Sequence, residues 1–222
     1  FPPTSEMLAA THLQARLSAL INAYRVRGHL YAKMDPLGLG DLPPTELALE
    51  RYGLDTIDPA TVFSTDDLTG PPTATLGEIV ERLRETYTRT IGVEYTFLED
   101  KEARDWLQDQ MESTNNHTQL DVKDQVHILT KLTDAEIFEQ FLHTKYIGAK
   151  RFSLEGGESV IPLLDLLIER GADHGVDEIV IGMAHRGRLN VMVNILEMDV
   201  RDIFAGFEDK DPRSNMGRGD VK

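Results

Sequence analysis

The sequence predicts an α/β protein in which a layer of helices precedes the first part of a parallel β-sheet. Apolar residues recur at helical spacing through the first 147 residues, whereas 178–183 is a β-branched, nearly continuous apolar run. Such a run is typical of a strand that is covered on both faces. Extended segments and helices then alternate after Gly148, as they do where an α/β sheet begins. We therefore predict a helical domain over 1–147 and the start of an α/β domain over 148–222.

The first predicted helix covers about 4–28. Thr4 or Ser5 can cap it, and Gly28 can end it in the left-handed conformation. A connection rich in proline and glycine follows over 34–72, with a possible short helix at 46–52. We expect this connection to pack against the surface of the helical layer.

Four more helices complete the predicted layer. The pair Thr75 and Glu78 forms a capping-box pattern at the start of the second helix, and Thr133 with Glu136 forms another before the fifth. The third helix covers 101–113 and is broken by two asparagines, and the fourth covers 122–132. The apolar residues expected to face inward on the second and third helices are Leu76, Ile79, Val80, Leu83, Tyr87, Ala103, Trp106, Leu107 and Met111.

The predicted α/β part begins with an extended segment at 151–154 and a turn at 155–157. A helix over 159–170 is ended by Gly171, and the strand at 178–183 follows. Two further helices are predicted, over 186–196 and near 200–207.

Composition excludes several classes of protein. The chain has 222 residues and a formal net charge of −15, so it would repel nucleic acids and anionic membranes. It has no cysteine, which excludes disulfides, thiolate metal sites and cysteine nucleophiles. It has no run of eighteen apolar residues and no secretory signal pattern, and we expect both ends to be cuts in a longer sequence.

The first candidate site is the segment 184–188, directly after the predicted strand. Ligands of open α/β sheets bind at such strand ends, next to helix N-termini. His185, Arg186 and Arg188 suit an anion there, either a carboxylate or a diphosphate. The alternative is that both arginines lie on the surface of an amphipathic helix and that His185 is a turn residue.

Other polar groups give weaker signals. The segments 150–158 and 24–29 could bind an anion, but a plain turn and a helix end with favourable cations explain them better. The remaining histidines show no metal-ligand spacing, and we assign no chemistry to His12, His117, His127, His143 and His174. The acids Glu136, Glu139 and Asp165 are expected on exposed helix faces.

Several stretches, taken together and in order, resemble the first component of 2-oxoglutarate dehydrogenase. They are Leu20-Ile-Asn-Ala-Tyr-Arg-Val-Arg-Gly-His29 running to Asp35-Pro-Leu-Gly38, Ile91-Gly-Val-Glu-Tyr95, Gly148-Ala-Lys-Arg-Phe-Ser-Leu-Glu-Gly-Gly157, Gly182-Met-Ala-His-Arg-Gly-Arg-Leu-Asn-Val191 and Gly219-Asp-Val-Lys222. The resemblance implies a homodimeric α/β enzyme whose sheet domain binds thiamine diphosphate and Mg²⁺. It also implies that 2-oxoglutarate is decarboxylated in the citric acid cycle and that the succinyl group passes to lipoamide on the dihydrolipoyl succinyltransferase component.

The resemblance also implies roles for particular residues. His185 would be catalytic and would contact the distal carboxylate of the substrate, and Phe152 would line the same pocket. Arg186, and with less support Arg188, would bind near the diphosphate of the cofactor, while Arg151 is a still weaker candidate. A bacterial cytoplasmic enzyme is expected, or a mitochondrial matrix enzyme if the source is eukaryotic.

The sequence departs from the family pattern at two places. The Gly-Asp-Gly…Asn signature, which holds magnesium and diphosphate in the family, does not occur in these 222 residues. We therefore expect this chain by itself to be inactive, with its metal ligands further along a longer protein. The segment after Asp35-Pro-Leu-Gly38 carries one acid, Asp41, so we expect no calcium regulation.

Three alternatives stay open at this point. The first is a sister enzyme that acts on 2-oxoadipate, which is one methylene longer. The second is a non-catalytic module that docks a partner protein. The third is an α/β fragment that has no site of its own.

Overall fold

Helices form most of the computed structural model, which describes residues 4–40 and 43–208. The Gly219–Lys222 motif and Asp41 therefore lie outside the described residues. The helices are α1 Ser5–Arg27, α2 Leu76–Tyr87, α3 Lys101–Thr114, α4 Val122–Lys145, α5 Val160–Asp173, α6 Arg188–Asn194 and α7 Val200–Glu208. Short 3₁₀ helices lie at Gly28–Tyr31, Thr45–Leu47 and Leu49–Tyr52. Two strands, β1 Val62–Ser64 and β2 Thr73–Thr75, pair antiparallel, with Val62 opposite Thr75.

The chain divides into two compact units, 1–119 and 120–222. This division falls within the segment that the sequence analysis assigned to the helical domain, since the domain boundary was predicted at 147/148. None of the helices in the described residues is long and apolar enough to cross a membrane.

The core of the first unit lies between the apolar stripes of α1 and α2. Thr4 accepts a hydrogen bond from the Met7 amide at the start of α1, and Thr75 with Glu78 closes the predicted capping box of α2. The predicted inward stripe of α2 is confirmed, because all five of its residues are buried. The buried apolar residues of this unit are Leu17, Leu20, Ile21, Tyr24, Leu47, Leu54, Phe63, Leu68, Leu76, Ile79, Val80, Leu83, Tyr87, Tyr95 and Met111.

The long connection between α1 and α2 contributes to this core. Leu47, Leu54, Phe63 and Leu68 all come from it and are buried. The single short helix predicted at 46–52 is instead two 3₁₀ helices separated by Ala48, and the strand pair was not predicted. Each strand is only three residues long, which leaves too short a stretch for a periodic signal to show.

Gly28 ends α1 for a different reason from the one predicted. Its φ is −54°, in the right-handed helical region, so the predicted left-handed cap is wrong. A Cβ atom at this position would lie 2.6 Å from Cβ of Tyr87 and 2.9 Å from its carbonyl oxygen. Glycine is therefore needed because the end of α1 passes against the backbone of α2.

Helix α3 packs only part of its predicted inward face on the core, namely Leu107 and Met111. Asp100 caps its start, and Asn115, at φ 50°, ends it as expected. However, Ala103 is exposed and Trp106 is 61% exposed, so their predicted inward positions are wrong, whereas Met111 and Glu112 are buried. The reason is that the strongest anchor of α3 is a buried charge rather than an apolar stripe.

That charge is the carboxylate of Glu112, whose side chain is 2% exposed. Arg25 of α1 lies 2.7 Å from Oε1, and the Tyr87 hydroxyl of α2 donates to the same oxygen at 2.6 Å. The Thr69 amide donates to Oε2 at 3.0 Å. Burial and the neighbouring Glu112 charge raise the pKa of Tyr87, so this hydroxyl remains a donor. One carboxylate therefore joins α1, α2, α3 and the connection.

Glu112→Ala should lower the free energy of unfolding by about 3–5 kcal/mol, because it leaves the Arg25 guanidinium buried without its partner. Urea denaturation of the 222-residue chain would measure the change. Gln110→Ala, at an exposed position of the same helix, is the matched control and should change stability by less than about 0.5 kcal/mol. Equal midpoints for the two variants would contradict a structural role for the Glu112 carboxylate.

The second unit is built on α4, a single helix of 24 residues. The sequence analysis predicted two helices here, with a capping box at Thr133 and Glu136, and that prediction is wrong. The Thr133 hydroxyl donates to the Leu129 carbonyl at 2.8 Å, four residues earlier, as a threonine inside a helix does. A Thr-x-x-Glu pattern is compatible with both arrangements, so the pattern alone did not decide between them.

Helices α5, α6 and α7 complete the second unit. One apolar cluster joins Phe138 and Leu142 of α4 to Leu189 and Ile203, and a second joins Ala135, Ile161 and Val191. Helix α5 continues beyond its predicted end at Gly171 to Asp173, and Gly175, at φ 80°, begins the next segment. The helices predicted near 186–196 and 200–207 are confirmed as α6 and α7.

The strand predicted at 178–183 does not form in the described residues. This segment is irregular and pairs with neither β1 nor β2. Val180 is 88% exposed and Ile179 is 40% exposed, so the apolar run that predicted a doubly covered strand is uncovered here. A β-strand needs a partner for its backbone hydrogen bonds. The helical part of the predicted fold class is thus confirmed, whereas the described residues contain no parallel sheet.

Candidate functional site

Two loops of the second unit, 150–154 and 184–188, lie against each other. The Gly187 amide donates to the Phe152 carbonyl at 3.0 Å, and the Arg186 guanidinium lies 3.5 Å from the Ser153 carbonyl oxygen. These are the first and second candidate segments of the sequence analysis, which are more than thirty residues apart along the chain. We call the two loops together the candidate site.

At the centre of the candidate site the Phe152 and His185 rings face each other. Their centroids are 4.0 Å apart and the ring planes are inclined at 45°. The Lys150 ammonium group lies 5.6 Å from the centroid of the Phe152 ring. His185 is exposed and Phe152 is half-buried, so the imidazole can reach a ligand that packs its apolar part on the phenyl ring.

Gly187 makes this close approach of the loops possible. Its φ is +75°, a left-handed conformation that side chains disfavour. A Cβ atom there would also lie 2.6 Å from Cδ1 of Leu154 on the facing loop. Helix α6 begins at the next residue and has seven residues, which is shorter than the helix predicted over 186–196.

The two arginines of this loop are placed differently. The Arg188 guanidinium folds back and donates to the carbonyls of Ala184 and Met183 at 3.3 and 3.2 Å. It therefore holds its own loop in shape. Arg186 is exposed, and its one side-chain hydrogen bond to a described residue is the long contact to Ser153, so it is better placed than Arg188 to bind an anion. Their assignment to a cofactor stays a prediction.

A buried polar network fixes the first loop on α4. Arg151 lies 2.6 Å from the Glu139 carboxylate and 3.0 Å from that of Glu155. Asn190 of α6, which is fully buried, donates to the other Glu139 oxygen at 3.1 Å and to the Ala135 carbonyl at 2.9 Å. Because Arg151 precedes Phe152, this network sets where the Phe152 ring stands.

Glu139 was predicted to be exposed, and that prediction is wrong, since the residue is 3% exposed. Its position along α4 carried a signal that could have shown this. Glu139 is four residues after Ala135 and three before Leu142, and both are buried at 1% exposure or less. It therefore shares their helix face. Asn190 was not among the candidates, and nothing in its local pattern distinguishes it.

The remaining candidate segments form ordinary structure. Gly156, at φ +86°, donates its amide to the Glu158 carboxylate at 2.9 Å, which closes a turn. In the first unit, Tyr24 and Arg25 belong to the core and to the Glu112 network, and His29 lies 3.6 Å from Glu94. The contacts of 156–158 and of 24–29 are therefore structural ones, while the loop 150–154 remains part of the candidate site.

The candidate site fits only part of a magnesium–diphosphate group. Arg186 can hold an anion, as argued above. The carboxylates beside the loops already have partners, since Glu155 pairs with Arg151 and Glu158 accepts from Gly156. Within the described part of the two loops there is accordingly no set of carboxylates for Mg²⁺.

Arg151→Met should lower the free energy of unfolding of the second unit by about 3–5 kcal/mol, because Glu139 would remain buried without its cation. Lys150→Met is the matched control, since Lys150 is exposed and its contact with the Phe152 ring is worth about 0.5–1 kcal/mol. Thermal unfolding followed by circular dichroism would compare the two. Loss of the Phe152–His185 proton contacts in NMR spectra should accompany Arg151→Met only, and intact contacts would contradict the positioning role.

The sequence is similar to several curated proteins whose names refer to 2-oxoglutarate. No family model matches the chain. It is 46% identical over 211 residues to a 2-oxoglutarate dehydrogenase E1 component of Azotobacter vinelandii, which is 94% of this chain and 22% of that protein. It is 46% identical over 212 residues to a multifunctional 2-oxoglutarate metabolism enzyme of Mycolicibacterium vanbaalenii, covering 94% of this chain and 17% of the relative. A 2-oxoglutarate dehydrogenase E1/E2 component of Corynebacterium glutamicum is 45% identical over 214 residues, which is 93% of this chain and 17% of that protein. The chain thus spans about a fifth of the length of the curated relatives it matches.

Proposed function

Because the chain belongs to the family of 2-oxoglutarate dehydrogenase E1 components, we propose that it supplies part of the substrate site of an enzyme that decarboxylates 2-oxoglutarate. The observation that carries the proposal is the contact between the Phe152 and His185 rings. It joins two of the sequence motifs by which the chain resembles that family. The complete enzyme would transfer the succinyl group to lipoamide on its acyltransferase partner and would act as a homodimer.

The substrate has a 2-oxo acid at one end and a second carboxylate at the other, separated by two methylene groups. His185 is exposed, and its imidazole can donate a hydrogen bond to the distal carboxylate. The half-buried Phe152 ring offers an apolar surface of the right kind for the methylene groups. These two contacts would select a dicarboxylic 2-oxo acid over one that lacks the distal charge.

Thiamine diphosphate, with Mg²⁺, would supply the stabilisation of the negative charge that is left when carbon dioxide departs. Arg186 is the described residue best placed to meet its diphosphate, since it is exposed and its guanidinium lies at the Ser153 carbonyl of the facing loop. The carboxylates that hold the metal would come from outside the candidate site. The uncovered apolar segment 178–183 supports this division, because it would gain its strand partners in a longer protein.

A chimeric enzyme tests the role of His185. In it, this chain replaces the matching region of the Azotobacter vinelandii relative. His185→Ala should lower kcat/KM for 2-oxoglutarate about 10- to 100-fold, which is the value of one hydrogen bond to a charged group. Its activity on a 2-oxo acid without the distal carboxylate should change much less. His174→Ala, an exposed histidine outside the candidate site, is the matched control and should leave both activities unchanged.

Near-wild-type activity of the His185→Ala chimera on 2-oxoglutarate would contradict the proposed substrate contact. Assaying 2-oxoadipate in the same chimera measures how strictly the length of the substrate is selected. Higher activity on 2-oxoadipate would indicate that the longer acid is the substrate. The proposed contact of His185 with the distal carboxylate would be unchanged.

A second prediction concerns the 222-residue chain by itself. It should neither decarboxylate 2-oxoglutarate nor bind thiamine diphosphate with micromolar affinity in the presence of Mg²⁺. The physical reason is that the candidate site presents a guanidinium for the diphosphate but no carboxylates for the metal. Isothermal titration calorimetry checks this, with the chimera as the positive control. Micromolar binding by the 222-residue chain would show that the expectation is wrong.

A further inference from the structure

A group of potential metal ligands lies between α4 and α5, apart from the residues of the candidate site. His127 comes from α4, and Asp165 and Glu169 come from α5. One ligand atom from each of the three lies within 4.8 Å of the others. The sequence analysis assigned no chemistry to His127 and predicted that Asp165 lies on an exposed helix face. The exposed position is wrong, since the Asp165 side chain is only 15% exposed. It forms an ion pair with Lys131 and a hydrogen bond with His127, both of α4.

The two carboxylate oxygens of Asp165 contact different residues. Oδ2 lies 2.5 Å from Nε2 of His127, and Oδ1 lies 2.6 Å from Nζ of Lys131. Burial raises the pKa of this carboxyl, but hydrogen bonds from Lys131 and His127 outweigh that effect and hold it below its usual value. Lys131 thus orients the carboxylate and leaves Oδ2 directed at the imidazole, as hydrogen-bonding partners of metal ligands commonly do.

The Glu169 carboxylate adds a second negative charge beside that of Asp165. It is four residues after Asp165, so both carboxylates lie on one face of α5, where like charges repel. Within residues 4–40 and 43–208, the Glu169 side chain makes no hydrogen bond and no ion pair. Lys131 contacts Asp165 alone. A cation held between His127 and the two acids would remove the repulsion and would give Glu169 a partner.

The donor set indicates the chemical class of that cation. One imidazole nitrogen and two carboxylate oxygens suit a first-row divalent transition metal such as Zn²⁺, which binds these atoms at about 2.0–2.2 Å. Two ligands of one such ion can be at most about 4.4 Å apart. The exposed Glu169 side chain can rotate to satisfy that limit. Nε2 of His127 and Oδ2 of Asp165 now share a hydrogen bond, and the ion would replace its proton, which would be released to solvent.

We propose that His127, Asp165 and Glu169 form a binding site for one first-row divalent transition-metal ion, with Zn²⁺ as the expected occupant in vitro. Three protein ligands leave further coordination positions to water. Because the ligands come from both helices, the ion would fasten α4 to α5 within the second unit. This site is independent of the function proposed above.

Titration of the metal-free 222-residue chain with zinc chloride, followed by calorimetry, tests the proposal. One ion should bind per chain, and both His127→Ala and Glu169→Gln should weaken binding at least about tenfold. His12→Ala and Glu136→Gln are matched controls at exposed positions and should bind as the wild-type chain does. Glu169→Gln alters an exposed residue, so its fold should be preserved even if His127→Ala is unstable.

A second measurement tests whether bound zinc stabilises the folded chain through the same residues. Zinc should raise the thermal unfolding midpoint of the wild-type chain, since a ligand that binds only the folded state stabilises it. The increase should be lost in Glu169→Gln and kept in Glu136→Gln. Absence of zinc binding at millimolar concentration, or binding that both ligand variants retain, would overturn the proposal.

Discussion

A carboxylate that is almost completely removed from water holds each of the two units together. Glu112 in the first unit is 2% exposed and Glu139 in the second is 3% exposed. A buried negative charge is tolerated only when a cation and further hydrogen-bond donors surround it. Arg25 and Arg151 supply the cations, and both lie on chain segments that are separate from the helix bearing the carboxylate. The helices can therefore pack in the arrangements that bring these groups together, and in few others.

The geometry of the candidate site depends on one of these two carboxylates, that of Glu139. Glu139 holds Arg151, and Arg151 fixes the segment that carries Phe152. Asn190 ties the same carboxylate to α6, which follows the loop bearing His185. The segments that carry Phe152 and His185 are thus both attached to the Glu139 carboxylate. Gly187 lets the two loops approach closely. A ligand would meet an imidazole and a phenyl ring that are already oriented, which lowers the cost of ordering them.

The proposed function would need parts of a longer protein as well as this chain. Its relatives are about five times longer, and the candidate site offers groups suited to the organic end of a substrate and to a diphosphate. It does not offer the carboxylates that a magnesium ion requires. The apolar segment 178–183, uncovered in this structure, has the sequence of a strand that is buried on both faces. Its conformation depends on partners that a local sequence pattern does not contain.

The sequence alone determined the features that depend on neighbouring residues. The cap at Thr4, the capping box at Thr75 and the break at Asn115 each involve groups within a few positions, and all were predicted from residue type and spacing. The motifs that carry Phe152 and His185 also identified the family. Tertiary structure decided which polar groups are buried, because Arg25 and Glu112 are 87 positions apart and His127 and Asp165 are 38 apart. No periodicity along the chain records such pairs, and the free energy of burying a charge depends on what surrounds it in space.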